Sequence, residues 1–310
     1  MDGVGIWSRD IGPPEPWHSV TAVCFAVCLC GARFLLDKFI FRGVTVWLLG
    51  KRAASVKIDE VTQATIIKCT ESMWKLTYYA TLEVYVLKIL FEESWFWDSQ
   101  LYFRGLPNQE LNIVAPKFLS LSTHLSFFHC RLSIMLYYMC QCGFYLYSIP
   151  ALVLWETRRK DFSVMMSHHV ITVALIGISY VTSFFRIGTI ILALHDASDV
   201  FLEAAKIFNK TRKELGASIC FGLFAVSWLI LRLIFFPFWI ISSTSRDLVE
   251  YLDLRQWYPR SLYYAFNTLL IMLLIFHIYW WILIWAMIKR QLLNRGKVEG
   301  DIRSDSEEED

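Results

Sequence analysis

The chain contains seven apolar stretches, at about residues 19–36, 70–91, 133–155, 164–184, 187–206, 217–242 and 262–288. Each approaches the roughly 20 apolar residues that a helix needs to cross a bilayer. Seven of them in 310 residues leave little chain for a water-facing domain. The composition agrees. Hydrophobic residues make up 56% and charged residues only 19%, against about 25% charge in a soluble domain. This excludes disorder, a coiled coil, a secreted disulfide scaffold and an ordinary cytosolic enzyme. The expected fold is an all-α polytopic membrane protein.

The first stretch lacks a basic region ahead of it and a small-residue cleavage site after it, so it reads as a retained anchor. No sequence repeat is found, which counts against an inverted-repeat transporter. The loops on one side (37–69, 156–163, 206–216 and 289–310) hold 18 Lys and Arg, against 8 on the other. The basic side is expected to be cytosolic. This puts the N-terminus in the lumen and the C-terminus in the cytosol. The sequon Asn209-Lys210-Thr211 then faces the cytosol, unused.

The net charge of +2 gives no reason to expect nucleic acid. The eight cysteines follow neither a zinc spacing nor a disulfide framework. The acidic tail is too charged to fold alone. Ser304 and Ser306 each have Glu three residues on, a pattern that suits an acid-directed kinase.

Ionisable groups inside an apolar span are costly and mark a functional interior. At about 100° per residue, His195, Asp199, Glu203 and Lys206 share a sector of about 80°, with Asp196 at its edge. A preceding stretch carries His168 and His169, with Asp161, Thr172, Ser179 and Arg186 on the His168 face. Lys75, Tyr79 and Glu83 stand at i, i+4 steps and either pair along their helix or line the same interior. Arg232, ahead of Pro237, is a weaker signal of the same kind. Trp280, Trp281 and Trp285, ahead of Lys289 and Arg290, read most simply as an interfacial belt. His277 is assigned no role. Buried ion pairs that merely fasten helices are the bland alternative.

A histidine beside carboxylates serves as a general base or a nucleophile. Metal binding is the rival reading. Only seven histidines are present, and their spacing matches no H-x3-H box of the kind that membrane di-iron hydroxylases carry. A His/Asp zinc site stays open.

The stretch from Asp161 to Lys206 contains Ser167-His168-His169, Phe185-Arg186-Ile187-Gly188 and Leu194-His195-Asp196-Ala197-Ser198-Asp199-Val200-Phe201-Leu202-Glu203. It resembles the longevity-assurance motif of ceramide synthases, inside their TLC domain. The similarity runs through Leu231-Arg232-Leu233 and His277-Ile278-Tyr279-Trp280-Trp281, and the Cys140-Gln141-Cys142-Gly143-Phe144-Tyr145 stretch and the Arg303-Ser304-Asp305-Ser306 tail look most like the plant branch. The resemblance implies an endoplasmic-reticulum enzyme, with six of its helices forming a bundle around a lipid-substrate cavity. It implies transfer of a fatty acyl group from acyl-CoA to a sphingoid long-chain base, giving ceramide or dihydroceramide. Its histidine pair matches His168 and His169, and its acidic pair matches Asp196 and Asp199. His195, Glu203, Arg186, Lys206 and Arg232 are expected to bind substrate or support the site. No cofactor and no metal is expected, because the thioester arrives activated. Acyl-CoA, the sphingoid base and membrane lipids are the expected partners, with a homo- or hetero-dimer compatible. A non-catalytic TLC-type lipid-binding or membrane-organising protein is the alternative.

Three segments are expected: a luminal N-terminus, anchor and linker at 1–66, the TLC domain at 67–290, and the tail at 291–310. Residues 112–130 interrupt the family pattern and are expected to form a luminal loop or re-entrant segment.

Overall fold

The computed structural model describes residues 16–50, 60–104, 106, 121–154, 156 and 159–293. Ser304 and Ser306, the N-terminal segment and the acidic tail lie outside them.

The described residues are helical throughout their regular elements. In lipid, every backbone N–H and C=O must find its partner within the segment, which a helix achieves. Helix α1 (Pro16–Leu36) continues through a π-helical turn (Asp37–Phe41) into α2 (Arg42–Leu48). Helix α3 (Glu60–Glu92) is followed by two short 3-10 turns, Ser94–Trp97 and Ser99–Leu101. Then come α4 (Leu121–Leu154), α5 (Phe162–Val181), α6 (Phe185–Lys210) and α7 (Glu214–Ser227). A π-helical segment (Trp228–Ile241) leads to α8 (Ser242–Arg246), a 3-10 turn (Asp247–Glu250) and α9 (Trp257–Leu293).

All seven expected spans fall on these helices. Four segments are long and apolar enough to cross a membrane by length and composition: Ser19–Leu48, Phe162–Val181, Glu214–Glu250 and Trp257–Leu293. Helix α6, by contrast, carries the ionisable stripe, so its apolar character is diluted by the residues of the site. The backbone of residues 121–130 is not a separate loop but the first turns of α4. Residues 112–120 of the expected loop lie outside the described residues.

Helix α6 is the central element, packed against α3, α7, α4, α5 and the π-helical segment. Short links hold its ends. After α5, Ser183 takes a positive φ of 59°, and the Phe184 N–H reaches back to the Ser179 carbonyl at 2.8 Å. This closes the helix and reverses the chain in three residues. After α6, Arg212 does the same at φ 57°, and the Lys213 N–H bonds the Phe208 carbonyl at 2.9 Å. Helices α5, α6 and α7 therefore run up and down beside one another.

A buried apolar core is present, but the outer faces are apolar as well and part of the interior is ionisable. Val27, Phe34, Trp47, Ile219, Phe238, Ile275 and Ile282 are exposed on outer faces, where a lipid chain is the natural neighbour. Glu71, Asp161, His168, His195, Asp196, Glu203, Arg232 and His277 are buried. Helix α1 lies along α4 at close range. A Cβ on Gly143 would come within 2.7 Å of the Phe25 Cβ and 2.8 Å of the Ala22 carbonyl oxygen. Small residues at such a crossing let the two backbones approach.

Candidate active site

A cavity enclosing about 1450 Å³ of atom-free space, open mouth included, runs between α3, α4, α5, α6, α7 and α9. Its polar wall carries Lys75, Glu156, Arg159, Glu203 and Lys206, and its apolar wall Phe221, Phe224, Trp228, Ile284 and Met287. His168, His169, Asp199 and Arg232 line it as well. A ligand that fits must itself be polar at one end and apolar at the other.

The histidines come from the second turn of α5. His168 is 7% exposed. Its ring centre lies 5.7 Å from that of His169 and 6.2 Å from that of His195, with the His168 and His195 planes 29° apart. The Nδ1 atoms of His168 and His169 are buried and have no hydrogen-bond partner among the described residues. An unpartnered buried polar atom calls for an explanation, and both of these rings border the cavity, where a ligand can reach them.

Trp280 is not part of an interfacial belt. It is buried, and its ring stands edge-on to His168 at 5.3 Å and 82°. Its Nε1 donates to Asp161 Oδ2 at 3.0 Å. The apolar context of α9 hides this, because a tryptophan ahead of a basic pair reads the same way whether it faces headgroups or a site. Trp285 is half exposed, with Lys289 Nζ 5.8 Å from its ring centre.

The ionisable stripe of α6 divides. Asp199, Glu203 and Lys206 face the cavity. Lys206 Nζ donates to Glu203 at 2.6 Å, and Arg232 pairs with Asp199 at 3.0 Å. Asp196 lies on nearly the same side of the helix as Glu203 but about 10 Å earlier along its axis, and is absent from the cavity wall. It is 1% exposed and accepts a hydrogen bond from the Gln141 amide of α4. Gln141 also donates to the Tyr137 hydroxyl at 3.1 Å and accepts from the Tyr78 hydroxyl at 3.3 Å. Sequence reasoning passed over Gln141 because an amide inside an apolar run carries no motif.

Lys75 pairs with Glu71 at 3.0 Å and with Glu156 at 2.8 Å, and does not bond onward to Tyr79 or Glu83. Tyr79 lines the cavity and Glu83 does not. Arg33 of α1 reaches the same cluster, donating to the Tyr147 hydroxyl at 2.7 Å and lying 3.6 Å from Glu156. Arg186 stands apart from both cavities. Its Nη1 donates to the Leu101 and Arg104 carbonyls at 2.6 and 3.3 Å, fastening the 3-10 turn after α3. These contacts tie the start of α6 to the scaffold.

A second, apolar cavity of about 410 Å³ adjoins the first. Tyr145 lines both. His195, Tyr138, Gly188, Ile191, Phe266 and Leu273 are among the residues around it. Among the described residues, no group of three or more His, Cys, Asp or Glu side chains is placed to hold a metal ion.

An all-α membrane bundle with paired histidines and carboxylates over an amphipathic cavity defines a membrane-embedded enzyme class built for lipid substrates. The family model described as the TLC domain matches residues 68–286. Ceramide synthase LOH2 of Arabidopsis thaliana is 57% identical over 297 residues, covering 96% of this chain and 94% of the relative. ASC1-like protein 3 of Oryza sativa subsp. japonica is 52% identical over 299 residues, covering 96% and 99%. Ceramide synthase 4 of Mus musculus is 36% identical over 243 residues, covering 78% and 55%. The chain belongs to the TLC-domain family, in its longevity-assurance, ceramide-synthase branch.

Proposed function

We propose that this chain transfers a fatty acyl group from acyl-CoA to the amine of a sphingoid base, giving ceramide or dihydroceramide, with His168 receiving the acyl group on the way. The ceramide-synthase relatives support the reaction. One observation carries the residue assignment: the His168 ring borders the amphipathic cavity with a buried Nδ1 that no group among the described residues engages.

Acyl-CoA enters from the cytosolic side, where Lys75, Arg159 and Lys206 line the cavity beside their acidic partners. An imidazole nitrogen of His168 attacks the thioester carbonyl. The C–S bond breaks, and the thiolate leaves with the proton from the other ring nitrogen. The sphingoid amine then attacks the acyl-imidazole. The C–N bond to His168 breaks, and the amine proton returns to the ring. His169 orients the reactants and shares the proton transfer. Asp199, held by Arg232, balances charge at the wall, and Asp196 braces α6 against α4. The thioester is already activated, so the transfer draws on no metal or nucleotide.

The protein then sits in the endoplasmic-reticulum membrane as a multi-pass chain, with its N-terminus luminal and its C-terminus cytosolic. The positive-inside count supports this orientation.

The test is ceramide formation by microsomes from cells lacking their own ceramide synthases, supplied with an acyl-CoA panel and a sphingoid base. Wild type should form product, and His168→Ala should form none. Intact mass after acyl-CoA alone should show one acyl adduct that His168→Ala lacks. Activity without that adduct would replace the covalent step with direct base catalysis. A well-expressed wild type with no activity would favour a non-catalytic lipid-binding protein.

A further inference from the structure

His277 lies on α9, fully buried, 82 residues along the chain from His195. Their Nε2 atoms are 2.9 Å apart. His195 Nδ1 is 2.6 Å from the Ile191 carbonyl oxygen. A carbonyl only accepts, so Nδ1 of His195 carries its proton. A second proton on Nε2 would make a cation beside Arg232, whose guanidinium already donates to the His195 carbonyl oxygen. Neutral His195 therefore presents Nε2 as an acceptor, and His277 donates to it from its own Nε2. The main chain at Arg232 is the other polar group beside the His277 ring.

Both rings are confined. Phe236 stands edge-on to His277 at 5.0 Å and to His195 at 5.6 Å. Trp228 stands edge-on to His277 at 5.9 Å and donates to its carbonyl oxygen at 3.3 Å. His195 borders the apolar cavity, while its ring stacks on that of His168 in the polar one.

We infer that His277 is a positioning residue that holds His195 in one tautomer and orientation, making it a fixed polar wall behind His168 and not a base or nucleophile. Both ring nitrogens of His195 are engaged, so neither is free to take a substrate proton. What His195 supplies is a surface that fixes how the His168 ring is presented to the thioester. The hydrogen bond from α9 keeps that surface in place. This role rests on the acyltransfer reading with His168 at its centre.

The experiment compares His277→Gln, His277→Met and His277→Leu in the microsomal ceramide assay, with kcat and the KM for acyl-CoA measured separately. Glutamine can donate to His195 Nε2. Methionine and leucine fill the space and have no proton to donate. The Gln variant should keep kcat within about threefold of wild type, while Met and Leu should lose about tenfold or more, the size expected when a buried acceptor loses its donor. KM should move little in any of them, because His277 lines neither cavity. Should the Leu variant fail to accumulate, the contrast between Gln and Met carries the test. Equal activity in Gln and Met, or a loss that falls on KM alone, overturns the inference. Loss of the acyltransfer reading would look different: wild type itself would be inactive, or His168→Ala would retain activity.

Discussion

Arg232 and Asp199 meet at 3.0 Å, Arg232 on the π-helical segment and Asp199 on α6. The Arg232 side chain is 4% exposed and that of Asp199 23%. The guanidinium also lies 4.0 Å over the Trp228 ring, so its plane is held on a second side. The π-helical segment, 14 residues long and containing Pro237, carries this residue against α6.

Arg232→Met removes one partner and leaves the Asp199 carboxylate uncompensated. The expected cost is on the order of 3 kcal/mol, seen as a lower unfolding temperature in detergent. The double change Arg232→Met with Asp199→Asn should recover most of that stability and little of the ceramide synthesis. Recovery of both would show the pair to be a helix fastener alone.

Gly143→Val should disturb the seating of α1 on α4. The added Cβ would press on Phe25 and the Ala22 carbonyl, and overpacking of this kind costs about 1–3 kcal/mol. A cysteine pair placed across the α1–α4 contact should crosslink less readily in the variant. Unchanged crosslinking would mean that the contact is looser than the distances imply.

Trp280→Phe keeps a ring beside His168 but loses the hydrogen bond to Asp161. The expected stability loss is about 1 kcal/mol, with a several-fold fall in kcat. Trp280→Leu removes the ring too, and should fall further. Equal activity in the two would show that the ring edge does not position His168.

Gln141→Leu strands the Asp196 carboxylate against apolar groups. A stranded buried acceptor costs about 1–3 kcal/mol. The measurable result is a lower unfolding temperature, with the KM for acyl-CoA unchanged because Gln141 does not line the cavity. A shift in KM would mean that Asp196 touches substrate.

The site was legible in part, and the reason differs by residue. His168, Asp199, Glu203 and Lys206 stood out because charge inside an apolar run has few bland explanations, and each borders the cavity. Trp280 and His277 belong to the site neighbourhood, yet aromatic residues are at home both in lipid headgroups and in protein cores. Arg186 shared the His168 face by helical angle, but it lies in the first turn of α6, where the carbonyls of Leu101 and Arg104 take its donors. Asp196 shared the motif with Asp199, yet it lies one helical turn earlier on α6, at the level of Gln141, which donates to it, and outside the cavity wall.

The amino-acid sequence alone determined the membrane class, the helical periodicity, the positions of the seven long helices and the family. These follow from local quantities: the apolar length needed to cross a bilayer, the spacing of polar groups along a helix, and a contiguous motif. Only the tertiary structure decided which buried groups meet. The pairing of His195 with His277 joins residues 82 apart in the chain, and that of Trp280 with Asp161 joins residues 119 apart. Such contacts depend on the rotation and crossing of whole helices. No local pattern encodes that rotation, because it is set by how ridges, small residues such as Gly143 and the wide π-helical turn pack against one another.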